Sequence, residues 1–350
     1  MVTPRQSQIK ALAARTTQLE RTIALRARTA QADLDSAVFP TGRLTPESGV
    51  PVSHAPTGPL STFYYTPYIG ATVPIFDGAR WTALEFDEMT FSLTSNAAYT
   101  GYHQADKNFD LFIYKDEATG ALKIGTGPAW NTNTTRGLIA GTTAIERLNG
   151  IYVNVHDIEI RYGTGAGDYT TVGASEATYI GTLRTEADGQ SNDTVSQRFL
   201  WNAYHRAERH LYIQETTDSW NYSTAAWRIA NNSGSNIVEY VCGFDYEAVE
   251  AFAYHMVINS TTTARRCSVG IGLDSTTVNS ALFMNNSAVI DVRTNLSAHF
   301  FGWSPGTGSK LGYHYLSWLE YGAGANTQTW YGDNGDADTM QSGLIAKVWC

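Results

Sequence analysis

Charge, proline, cysteine and long apolar runs are all scarce in this chain. Lys and Arg number 24 and Asp and Glu 33 in 350 residues, so charged side chains make up 16%, well under the usual quarter. With Ser, Thr, Asn and Gly filling the gaps between aromatic runs, that balance disfavours a mostly helical enzyme. The formal charge of -9 argues against broad nucleic-acid binding, and there is no run of about 18 apolar residues to cross a bilayer. Three cysteines, Cys242, Cys267 and Cys350, are too few and too scattered for a disulfide framework or a zinc knuckle, and read as reduced thiols. The opening MVTPRQSQIK lacks the basic-then-apolar layout of a secretory signal, so synthesis in a reducing cytosol is expected.

What is present divides unevenly. From Thr3 to Ala32 the chain is rich in Ala, Gln and Arg and has no Gly and no aromatic residue, which predicts one helix with Thr3 as N-cap and Pro4 at its first position. Ile9, Leu12, Thr16, Leu19 and Ile23 recur at 3-4 spacing, an a/d seam of roughly three heptads broken where Arg26 follows. Arg5, Lys10, Arg15, Arg21, Arg26 and Arg28 stand against Glu20 alone, giving residues 1–32 about +5 and the rest about -14. Such asymmetry suggests a basic arm that docks on an acidic partner; the alternative is the solvated face of a helix.

Pro40, Gly42, Pro46, Gly49, Pro51, Pro56, Gly58 and Pro59 then crowd a linker-like stretch. Beyond it the pattern has period two: Thr62–Thr66, Thr72–Phe76, Arg80–Phe86, Met89–Leu93, Phe109–Tyr114 and Ala121–Ile124, punctuated by turns at Asp77-Gly78, Thr119-Gly120 and Asn149-Gly150. The polar run Glu186–Asp193 reads as a domain boundary. Further strands are expected at Arg209–Ile213, Ala226–Ile229, Ile237–Val241, Ala251–Ile258, Cys267–Ile271, Ser287–Val292, Tyr313–Leu316 and Leu344–Trp349. The fold class is therefore mainly β: an N-terminal helical arm (1–40), then two tandem antiparallel β-sandwich or jelly-roll domains (41–190 and 191–350).

Chemical motifs are few. Gly302-Trp-Ser-Pro-Gly306 matches a nucleophile-elbow pattern, but Pro305 and the loop after it deny Ser304 the helix that this turn needs. Gly163–Gly167 reads as a hairpin tip, lacking the Lys-Ser/Thr ending of a phosphate loop. Asp333, Asp336 and Asp338 offer hard oxygen ligands for calcium without EF-hand spacing, so a solvated acidic turn is the plainer reading. No catalytic residue, cofactor or histidine metal pair is assigned. Trp303, Tyr313, Trp318 and Trp330 are candidates for stacking on sugar rings, with core packing as the alternative.

The run Gly42–Val52, Phe63-Tyr-Tyr-Thr-Pro-Tyr-Ile-Gly70, Pro74–Gly78, Trp81, Phe109–Phe112, Pro128–Asn131, Tyr179–Arg184, Arg198–Tyr204 and Thr216–Trp220 resembles tail-fibre or head-fibre (spike) virion proteins of tailed bacteriophages and gene transfer agents. The resemblance spans about residues 42–275. It implies a trimeric structural component of the particle surface, anchored to other virion proteins through its N-terminal segment, with β domains directed outward to host surface polysaccharide and no enzymatic activity. A decoration protein without host contact and a spike polysaccharide depolymerase are the alternatives.

Overall fold

The computed structural model describes residues 15–16, 18–23, 39–55, 57–139, 141–245, 247–260, 265–287, 291–302 and 310–350. Its architecture is mainly β: among the described residues, strands assemble into sheets of 16, 7, 3 and 2 strands. Helix there is confined to residues 15–16 and 18–23 and to the 3-10 turn Ala230–Asn232. Arg15, Thr16, Leu19, Arg21 and Ile23 are all exposed, Leu19 by 61% and Ile23 by 59%, so this part of the seam covers no β core. Arg5, Ile9, Lys10, Leu12, Arg26 and Arg28 lie outside the described residues.

Where apolar and polar residues alternate, strands form close to the expected bounds. Thr62–Pro67 pairs with both Gly42–Thr45 and Met89–Ser92. Thr72–Phe76 and Trp81–Glu85 form a hairpin whose turn is closed by Asp77, its Oδ1 accepting from the Ala79 and Arg80 amides at 3.0 and 2.9 Å. Of the expected strand Ser287–Val292, Ser287 lies in the short strand Asn286–Ser287, residues 288–290 lie outside the described residues, and Asp291 has a left-handed φ of 57° that extended backbone does not tolerate.

The longest strand, Ala177–Ala187, has no alternating pattern because its first nine residues are all buried. A strand covered on both faces reads as a continuous run. One edge pairs with Asn108–Lys115; the other pairs in turn with Ile151–Asn154, Leu200–Asn202 and Gln190–Asp193. Tyr179 enters one core cluster while Ile180 and Leu183 enter another. Gly181 is required where it pairs with Asn202, since a Cβ there would collide with the backbone carbonyl of Trp201. The polar run Glu186–Asp193 is a hairpin turned at Asp188-Gly189, with Gly189 at φ 68°. The large sheet continues across it through Gln197–Arg198 and Ile237–Cys242 to Gly312–Tyr321.

Within the C-terminal half, the Ile237–Cys242, Gly312–Tyr321 and Cys267–Leu273 strands face a seven-stranded sheet. That sheet places Gly343–Trp349 between Glu208–Gln214 and Glu250–Asn259, followed by Thr294–Phe301. Val238, Ile271, Leu316 and Trp318 from one layer and Ala253, Leu296, Phe300 and Val348 from the other share one core, which Phe112 and Ile160 of the N-terminal half also enter. Arg43 fixes the two ends of the β region together: its buried guanidinium donates to the carbonyls of Pro51 (2.6 Å), His205 (3.1 Å) and Cys350. All three cysteines are free and buried, and burial pushes the Cys267 thiol up to about 11.

Two polar groups within this packing have measurable consequences. Asp110 is fully buried against Arg136, accepting from Nε at 2.6 Å and Nη2 at 3.1 Å, with Thr182 donating to the same carboxylate at 2.6 Å. The guanidinium also lies 4.2 Å from the Trp130 ring centroid. Asp110→Ala leaves Arg136 charged and unpaired, and should lower unfolding free energy by about 3–5 kcal/mol, read from urea midpoints; a change under about 1 kcal/mol would contradict the buried pair.

His255 is fully buried between Trp318, Trp330 and Trp220, at ring-centroid distances of 4.4, 4.7 and 5.2 Å, and neither ring nitrogen makes a hydrogen bond. Burial holds its pKa well below the ordinary value. The unfolded chain takes up a proton below about pH 6.5 and the folded one does not, so this contribution to stability is whole above that pH and declines as pH falls. Against a His255→Phe variant, the wild-type chain should lose up to ~1.4 kcal/mol per pH unit between about pH 6.5 and 5. Parallel urea titrations with a pH-independent difference would refute the neutral, caged histidine.

Candidate interaction surface

The sheet order brings residues far apart in sequence into one outward row. Gln197 pairs with Glu239, and Glu239 pairs with Tyr315 on the next strand. Tyr313 lies two residues earlier on the same face, as period-two geometry requires. Its hydroxyl donates a short hydrogen bond to Glu239 Oε1. Gln197 Nε2 donates to Glu239 Oε2 at 2.7 Å and to Glu186 Oε2 at 3.4 Å, while its Oε1 accepts from Asn192 Nδ2 at 2.8 Å.

Arg184 completes the cluster. Its guanidinium carbon stands 3.7 Å from the Tyr313 ring centroid, and its nitrogens reach Asp106 Oδ1 at 3.1 Å and Asn133 Oδ1 at 3.2 Å. Burial lowers the Arg184 pKa, the negative charge around it opposing that change. Burial also raises Glu186, and the neighbouring charge of Glu239 raises it further. Tyr313 is driven up by burial and by Glu239, so its phenol stays neutral. The result is a half-buried array of amides, carboxylates and aromatic rings presented on a sheet face. Its two carboxylates are tied to one amide instead of facing each other across a cleft.

The other sequence candidates fall elsewhere. Trp318 and Trp330 are fully buried around His255, so neither ring is offered to a ligand. Trp303 and Ser304 lie outside the described residues. Asp333 and Asp336 use their carboxylates within their own turn: Asp333 Oδ1 accepts from Gly335 N at 3.0 Å, and Asp336 accepts from Asp338 N and the Thr339 hydroxyl. Among the described residues no group of three His, Cys, Asp or Glu side chains is placed to hold a metal ion, Asp338 included. Gly163–Gly167 forms a hairpin tip, its Gly163 and Gly165 carbonyls held by Arg161 at 3.1 and 2.8 Å.

Sequence reasoning singled out Tyr313 but not Arg184, Glu186, Gln197 or Glu239 as its neighbours. The cue was the Gln197–Glu239 pairing, which is parallel and spans 42 residues, and no local pattern signals such a contact.

No family model matches the chain, and no curated protein matches it. Among solved structures, infectious bursal disease virus Gx strain is similar at 11% identity, with 84% of this chain and 66% of that chain covered and a TM-score of 0.27. T=1 particles derived from infectious bursal virus give 10% identity over 84% and 68%, with a TM-score of 0.25. An exo-β-1,3-galactanase from Phanerochaete chrysosporium gives 10% identity over 87% and 84%, with a TM-score of 0.12. Scores this low do not establish a common fold.

Proposed function

We propose that the chain is a virion structural protein: a surface fibre or spike, anchored by its N-terminal helix to other virion proteins, that presents its β region for attachment to host surface glycans. The observation that carries the reading is the row around Tyr313, where Gln197, Glu239, Glu186 and Arg184 gather hydrogen-bonding groups about a half-buried aromatic ring on an outward sheet face. The sequence resemblance to bacteriophage spike proteins supports it, as does a β scaffold wide enough to hold that row rigidly. The tandem sandwich, jelly-roll-like division into 41–190 and 191–350 belongs to the same proposal, as two lobes fused along the strand Ala177–Ala187. So do a homotrimeric state, assembly in the host cytoplasm, and the absence of catalysis.

Particles carrying Glu239→Ala or Tyr313→Ala should adsorb to host cells at least about tenfold more weakly, the loss of roughly 1.4 kcal/mol expected when a buried hydrogen bond to a charged group is removed. Unchanged adsorption would favour a decoration protein, and shortened host polysaccharide after incubation would favour a depolymerase. The anchor is tested separately: a chain lacking residues 1–40 should remain folded yet fail to join particles, whereas normal incorporation would remove the arm's role.

A further inference from the structure

The seven-stranded sheet carries a row of four apolar or aromatic residues and one histidine on the face turned away from the core. Tyr212 pairs with Ile345, Ile345 with Phe252, Phe252 with His299, and His299 with Phe283, so five adjacent strands each contribute one residue to a single transverse line. All five are exposed, Phe283 by 69% and Ile345 by 45%. A shallow groove of about 310 Å³ runs between Tyr212, Phe252, Tyr254 and Ile345. Isolated exposed apolar residues are ordinary, but a continuous stripe with a polar border marks a contact surface.

The border identifies what would cover it. One step along the same strands, Lys347 pairs with Glu250, and its Nζ lies 3.9 Å from the Glu250 carboxylate and 3.4 Å from that of Glu208. We propose that this face binds the same face of a second copy of the chain, about a two-fold axis running between the strands Gly343–Trp349 and Glu250–Asn259. In an isologous contact, if residue i meets j then j meets i. That axis sets Ile345 on the second copy's Phe252, Phe252 on its Ile345, and each Lys347 against the opposite Glu250. One strand supplies an aliphatic and a cationic residue, and its neighbour supplies the aromatic and anionic residues in the same register. The pattern is therefore complementary to itself under this rotation, and no other partner chemistry is needed to satisfy it. The contact is independent of the arm and of the row around Tyr313; in the homotrimeric state proposed above it joins one trimer to another, so doubling is read against the mass at the lowest concentration.

Sedimentation of the full chain over a concentration series tests the proposal. The mass should double with rising concentration, and Phe252→Glu should abolish the doubling while circular dichroism shows an unchanged fold. Lys347→Glu and Glu250→Lys should each abolish it too, because each places like charges across the axis. Mixing those two variants should restore the doubled mass, since every facing pair is then of opposite sign. A mass that never doubles, a doubling that survives Phe252→Glu, or two charge variants that fail to combine with each other would overturn the two-fold contact.

Discussion

The strand Ala177–Ala187 is the element on which the rest of the β region depends. Its hydrogen bonds are taken on both edges by segments that begin as early as Asn108 and end as late as Asn202, and its two faces feed separate core clusters. Thr182 in its middle also braces the buried Asp110–Arg136 pair. A strand so enclosed has no solvent face to spare, which is why Gly181 must lack a side chain and why charge there is admitted only in a paired, hydrogen-bonded form.

That enclosure sets where the aromatic residues go. Trp201, Trp318 and Trp330 are consumed by the core, the last two caging a histidine that has no hydrogen-bond partner. Among the aromatics left at the surface, two groups sit on outward faces of different character. Around Tyr313 they are mixed with amides, carboxylates and a guanidinium, a composition suited to hydroxyl-rich ligands. Across Tyr212, Phe252 and Phe283 they form an apolar stripe bordered by paired charges, a composition suited to a protein surface. Both faces depend on sheet register, because a one-residue slip in either would turn the row inward.

Much of the strand content was legible in the sequence, and the reason is physical. Segments such as Thr72–Phe76, Ile237–Cys242 and Gly343–Trp349 bury one face or lie between clear turn residues, so alternation and Asp-Gly signals mark them. Ala177–Ala187 carried no alternation because both its faces are covered, and the polar run after it, read as a domain boundary, forms a hairpin that its Asp-Gly turn signal also allowed. The candidate site was legible in one residue alone. Tyr313 lay in an expected strand, but its neighbours arrive through a parallel pairing whose partners are set by the global fold. Trp318 and Trp330 show the converse: their type suggested a ligand surface and their environment made them core.

The most direct test of the central claim, that the β region on both sides of Ala177–Ala187 depends on this one strand, is native-state hydrogen exchange on the full chain, resolved by peptide. The account predicts that amides of Ala177–Ala187 exchange only through global opening, with the same protection free energy as the Gly343–Trp349 strand. A state in which residues 191–350 stay protected while Ala177–Ala187 and the strands before it exchange would contradict it, and would show two lobes that unfold on their own.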